Sequence, residues 1–286
     1  MSIAASIRAR LLIISRNEHI AFQVIIVRYL HERLLYRLSR SRFADSFVLK
    51  GGNFIYALQG LTVRPTKDID FLGYLMAEEA GKLKEIMAEI AATDFNDGVW
   101  YDIQNIHQEQ ISEQNQHNGI RLVFPAGFDT IKTNLQIDIG FGDLITPHAV
   151  RLIYPVLLPD LPAPDLLAYT VDTVIAEKFH AMISLSGLNS RMKDFYDVHR
   201  LIISGNYDAT VLKEAVAATF SNRKTFYITN HALFTITFAT DSSRNRMWQA
   251  FMKKIGQTEK LSFIQVMEVI TTVLKPIWES LKSPEN

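Results

Sequence analysis

The sequence predicts an α/β (α+β) protein: a mixed sheet flanked by helices, followed by a mainly helical C-terminal region. Three observations point there. Near the N-terminus, apolar residues recur at helical spacing. From Ser46 to Asp143, short apolar runs that read as strands are interleaved with helices. Beyond a proline-rich tract at 154–169, the pattern is mostly helical. With 286 residues, 48% of them hydrophobic, the chain can bury the core of one large or two modest domains. The element order divides it into N-terminal helices plus an α/β core (1–153), a connector (154–170) and a helical domain (171–286).

Residues 3–17 and 19–40 read as helices. In the second, Phe22, Ile25, Ile26, Tyr29, Leu30, Leu34 and Leu35 form an apolar face. Arg33, Arg37 and Arg40 line another face, with Arg28 and Arg42 nearby and only Glu32 opposing. Such a stripe suits water or an RNA backbone, and a solvated face is the simpler expectation. A strand at 46–50 leads into a helix at 52–60, which Gly60 ends as a left-handed cap. Pro65 keeps the next loop irregular. A strand follows at 68–75, then an amphipathic helix at 77–92. Strands at 99–107 and 119–125 flank a polar turn, and another strand covers 133–143. Helices are predicted over 171–185, 190–203, 209–220, 244–254 and 260–281. Aromatic residues such as Phe54, Tyr56, Phe179 and Phe195 fall at core spacing.

The composition excludes several classes of chemistry. There is no cysteine, so disulfides, thiolate nucleophiles and thiolate zinc sites are ruled out, which fits a cytoplasmic location. The eight histidines show no metal-ligand spacing. Thirty basic and thirty acidic side chains cancel, so attraction to nucleic acid must be local. No run approaches the ~20 apolar residues of a membrane span, and the N-terminus lacks the separate basic and apolar regions of a signal peptide.

The segment "VLKGGNFIYALQGLTVRPTKDIDF" (48–71) concentrates the chemistry. On a strand Asp68 and Asp70 share one face while Ile69 and Phe71 take the other. Two carboxylates this close repel, and a divalent cation relieves the penalty. In "NLQIDIGFGD", Asp138 interrupts a strand whose apolar face is Leu135, Ile137 and Ile139. Pairing with a neighbouring strand can bring it beside Asp68 and Asp70, three carboxylates around a two-metal centre. Gly51 and Gly52, between a strand and a helix, let the backbone approach an anion at the helix N-terminus. Lys50, just before them, and Arg64 and Thr66, in the loop before Asp68, are further candidates for phosphate or nucleotide contact. Alone, Asp-x-Asp is a common loop or surface pattern. Together with the glycines and the later aspartate it points to nucleotidyl transfer.

With "LQIDIGFGD" and "TVIAEKFHAMISLSGLNSRMKDFYDVHRL", this segment resembles the AbiEii/AbiGii nucleotidyltransferase toxins of the DNA-polymerase-β-like nucleotidyltransferase superfamily. The likeness runs from the N-terminal helices to about residue 220, and more loosely beyond. It implies a nucleotidyltransferase-type sheet, Mg²⁺ as cofactor and an NTP as substrate. It also implies NMP transfer to an acceptor, the 3′ end of a tRNA leading, with an antitoxin as partner. A protein acceptor is the alternative enzyme reading, and a non-catalytic nucleotide- or antitoxin-binding module is the other. The superfamily motif has Gly-Ser before Asp-x-Asp/Glu. The serine position falls on Gly52, so a phosphate-contacting hydroxyl is missing there.

A second cluster holds Lys178, Arg191, Lys193, Asp194 and Asp197. Spacing alone favours structural roles: Asn189 or Ser190 as a cap, acids in a first turn, and Lys193 with Asp197 as an i,i+4 pair. The resemblance instead assigns Lys178 to the triphosphate and Asp194 to completing the site. Arg191 joins as a phosphate-binding candidate, and Asp197 stands as catalytic or structural.

Overall fold

The computed structural model describes residues 3–74, 81–113, 117–256 and 260–282. The chain forms two compact units, one of residues 1–142 with 149–169, the other of 143–148 with 170–286. Among the described residues no helix is long and apolar enough to cross a membrane.

The first unit is built on one mixed sheet. Two helices, α1 (Ile3–Asn17) and α2 (Phe22–Ser39), precede strand β1 (Phe47–Lys50), helix α3 (Gly51–Gln59) and strand β2 (Asp68–Gly73). After α4 (Leu83–Ala92) come β3 (Val99–Tyr101), β4 (His107–Glu113), β5 (His117–Phe128), β6 (Ile131–Gly140), β7 (Val150–Ile153) and β8 (Asp165–Ala168). The strand order is β3-β5-β6-β2-β1-β8-β7, and β4 also pairs with β5. β2 runs antiparallel to β1 but parallel to β6.

Period-two patterning fixes which face each side chain takes. Along β6, Leu135, Ile137 and Ile139 are fully buried while Gln136 and Asp138 are half-buried. Leu122, Phe124, Ala126 and Phe128 of β5 join that apolar layer. Helix α2 packs there, with Tyr29 edge-on to Phe128 at 5.4 Å between ring centres. The opposite face carries the aspartates.

Most of the arginine stripe on α2 is neither solvated nor open to RNA. Arg28, Arg33 and Arg37 are buried, while Arg40 at the helix end and Arg42 beyond it are exposed. The Arg37 guanidinium donates to both Asp97 oxygens at 2.7 and 3.0 Å and to the Thr93 carbonyl at 2.8 Å. Arg33 pairs with Glu32 at 3.0 Å and donates to the Pro162 carbonyl. The long stems reach past the helix to loops that cover it, so residues spaced like a surface face become internal ties.

The tract at 154–169, expected as a plain connector, contains β8. Four residues after Pro164 pair with both β7 and β1. β4 and β5 run further into the expected polar turn, whose residues 114–116 lie outside those described. So do residues 75–80, over which the end of a strand and the start of α4 were predicted. Gly60 ends α3 with a positive φ of 69°, a backbone turn that favours glycine.

The second unit is helical: α5 (Val171–Leu185), α6 (Met192–Ser204), α7 (Ala209–Asn222), α8 (Ile236–Thr240), α9 (Ser242–Lys254) and α10 (Phe263–Glu279). Its aromatic core joins Phe179, Phe220 and Trp278, and separately Phe195, Trp248 and Phe263. Side chains cap the helices as their sequences dictate: Thr170 on α5, Asp208 on α7, and a reciprocal Ser262–Gln265 box on α10.

Candidate active site

Strand pairing brings the three aspartates of the first unit together. Asp70 lies directly opposite Asp138 across the parallel β2–β6 pair, and Asp68 is two residues along the same face. One carboxylate oxygen from each lies within 4.8 Å of the others, in a half-buried position. An all-oxygen set of three carboxylates suits a hard divalent cation such as Mg²⁺ or Mn²⁺.

Backbone and loop fit around this group closely. Gly51 has φ 66°, and a Cβ there would come within 1.9 Å of an Asp70 carboxylate oxygen. Only glycine lets the β1–α3 turn run beside Asp70. A Cβ at Gly52 would lie 2.7 Å from the Thr66 hydroxyl. The Thr66 side chain therefore fills the space that a serine at 52 would use, and its hydroxyl donates to Asp68. The residue before α3 makes no side-chain cap, and the helix begins at the glycine pair. Arg64 is half-buried in the loop that carries Thr66. Lys50 lies opposite Asp70 on β1, its ammonium 5.4 Å from the centre of the Tyr169 ring.

Two residues that sequence reasoning passed over complete the surroundings. Asn53, buried on α3, donates to the Asp68 carbonyl at 2.7 Å and accepts from the Tyr154 hydroxyl at 2.9 Å. It ties the start of β2 to the protein interior. Arg121 on β5 donates to both Asp138 oxygens, at 2.8 Å each. Hydrogen bonding to Asp138 is the largest cause holding the guanidinium above its ordinary range. Burial acts against it, while Glu109 and Asp68 add to it. A signal was available: Arg121 sits between apolar Ile120 and Leu122, just as Asp138 sits between Ile137 and Ile139.

The second predicted cluster lies in the helical unit. The Lys178 ammonium bridges Asp194 at 2.8 Å and Asp197 at 2.9 Å, and both acids are buried. Arg191 reaches the other Asp194 oxygen at 2.7 Å. Burial raises the Asp194 carboxyl, but Lys178 and Arg191 outweigh it and hold it below its usual range. Asn189, expected as the cap of α6, accepts from the backbone N–H of Arg191 instead; Arg191 itself precedes the helix, and no side chain caps α6 there.

A family model described as the nucleotidyl transferase AbiEii toxin of a type IV toxin–antitoxin system matches residues 33–271. The chain belongs to the AbiEii nucleotidyltransferase toxin family. Comparison with curated proteins finds no match. Among solved structures, the AbiEii chain is similar to JHP933 from Helicobacter pylori, with a TM-score of 0.51 at 13% identity over 91% of this chain and 94% of that one. It is similar also to a second H. pylori structure, provisionally named as a nucleotidyltransferase. That match has a TM-score of 0.51 at 13% identity, over 93% of this chain and all of the other. At that identity the likeness is one of fold.

Proposed function

We propose that this AbiEii-family protein is a Mg²⁺-dependent nucleotidyltransferase that moves NMP from an NTP to an acceptor hydroxyl. The observation that carries the proposal is the meeting of Asp68, Asp70 and Asp138 on adjacent strands. These three carboxylates would hold the metal, as one or two ions. When bound, Mg²⁺ supplies charge neutralisation for an in-line displacement at phosphorus. Gly51, Gly52 and the first amides of α3 seat the phosphates, assisted by Lys50, Arg64 and Thr66. The acceptor oxygen bonds to the α-phosphorus as the bond to the pyrophosphate oxygen breaks, and Asp138 either binds the second metal or takes the hydroxyl proton. Family resemblance adds Lys178 and Arg191 as phosphate ligands and Asp194 as the residue that orients Lys178.

The acceptor we favour is the 3′ end of tRNA, whose modification blocks translation. The antitoxin of a toxin–antitoxin pair is the proposed partner. The competing non-catalytic reading leaned on Gly52, and the hydroxyl of Thr66 in that space supports the enzyme instead. Purified protein should label total tRNA from one radioactive NTP, with pyrophosphate released. Asp68→Ala should lower labelling by at least ~10³-fold with an unchanged circular dichroism spectrum. Labelling by the variant at the wild-type rate refutes the metal assignment. Labelling of protein but not RNA replaces the acceptor.

A further inference from the structure

Strand register lines up five charged residues in one row across the sheet. Lys50 on β1 faces Asp70 on β2, Asp70 faces Asp138 on β6, Asp138 faces Arg121 on β5, and Arg121 faces Glu109 on β4. Directly opposed residues on one face of a sheet are contact neighbours. The two central carboxylates are thus flanked by a cation on each side, and the row ends in a further acid.

The two Asp138 oxygens are already fully engaged. Arg121 takes one with Nε and the other with a terminal nitrogen, and the Gln136 amide lies 3.3 and 3.2 Å from the same two atoms. A carboxylate clamped this way by a planar guanidinium gives a metal ion little access to its lone pairs. Arg121 has a second place to go, because the Glu109 carboxylate lies 3.7 Å from its other terminal nitrogen. Glu109 is 46% exposed and Arg121 32% exposed, so the side chain can turn without opening the core.

We propose that Arg121 is a positioning residue that holds Asp138 as a stand-in cation and yields it to an entering divalent ion by turning toward Glu109. In the metal-free protein it offsets the repulsion between Asp70 and Asp138 and fixes the rotamer of Asp138. The metal then displaces a preorganised ion pair, so its affinity is reduced by the strength of that pair. Arg121 thereby sets the cation concentration at which the third carboxylate joins the site.

The inference rests on the metal reading of the three aspartates, and one titration series separates the two. Mn²⁺ binding to the intact chain is followed by electron paramagnetic resonance for wild type, Arg121→Met, Arg121→Lys and Asp70→Asn. Arg121→Met should bind about tenfold more tightly than wild type, the scale of a lost charge-assisted bidentate pair. Arg121→Lys, which keeps the charge but not the fork, should fall near Arg121→Met. In wild type, the arginine Nε–H signal absent from Arg121→Lys should shift on Mg²⁺ addition in a ¹H–¹⁵N spectrum. Loss of Mn²⁺ binding in Asp70→Asn, with Arg121→Met equal to or weaker than wild type, overturns the inference and leaves the site intact. Binding that is unaffected by Asp70→Asn, or undetectable in every variant up to tens of millimolar, overturns both.

Discussion

Gly51 shows how narrow the tolerances at this site are. Its positive φ acts together with the 1.9 Å approach that a methyl group in its place would make to the Asp70 carboxylate. Gly51→Ala forces either the turn or Asp70 to move. We expect it to cost about 1–2 kcal/mol of stability from the left-handed backbone alone. Divalent-ion affinity should fall as well, because Asp70 is pushed off the face it shares with Asp138. Thermal melts with and without Mg²⁺ measure both effects, and a variant whose melting temperature still rises with Mg²⁺ like wild type counts against the role given to Gly51. At this scale the sequence was informative. A charge inside a period-two apolar run is conspicuous, and Asp68, Asp70 and Asp138 were legible for that reason. Arg121 carried the same signature, but arginine is ordinary on a solvent-facing strand position. Only register reveals that it faces Asp138.

At the level of elements, α2 departs most from its reading. Helical spacing tells which residues share a stripe, but not what covers the stripe. Spacing alone points Arg28, Arg33 and Arg37 to solvent, because charged residues are seldom buried. Each here meets an acceptor contributed from far along the chain: Val63, Pro162 and Asp97. Those partners are invisible to local pattern. The pairing of Arg37 with Asp97 should make Asp97→Ala destabilising by roughly 3–5 kcal/mol, since it strands a buried guanidinium. Chemical denaturation checks this, and a loss under about 1 kcal/mol would mark the pair as effectively solvent-screened. β7 and β8 were missed for a different reason. Four-residue strands flanked by prolines carry too few alternations to stand out, and β8 is held by β1 rather than by its own propensity. Long helices with side-chain caps, α5 and α7 above all, were legible almost to the residue.

For the molecule as a whole, net charge is zero, so pH acts through individual buried groups. Two groups in the first unit oppose each other. Burial, partly offset by Arg33, raises the Glu32 carboxyl from 4.5 to about 7. Burial lowers His31 from 6.5 to about 4, partly offset by its hydrogen bond to Asn53. Between 4.5 and 7 the folded chain binds the Glu32 proton more readily than the unfolded chain, so this contribution to stability falls as pH rises. Between 4 and 6.5 the unfolded chain takes the His31 proton more readily, so that contribution falls as pH drops. Glu32→Gln removes the first term only. The melting temperature of wild type relative to Glu32→Gln should therefore increase steadily as pH is lowered from 7 toward 4.5. A flat difference across that window would place the Glu32 proton outside the folding equilibrium.

The parallel pairing of β2 with β6 has a consequence for how such a chain can change. Inserting one residue upstream of Asp138 would reverse the facing of everything after it, sending the acid inward and Ile139 out to water. That lesion strikes solubility and reactivity at once. The same frame that aligns the acids also decides whether the polypeptide has an inside, so drift in length along β6 is closed off.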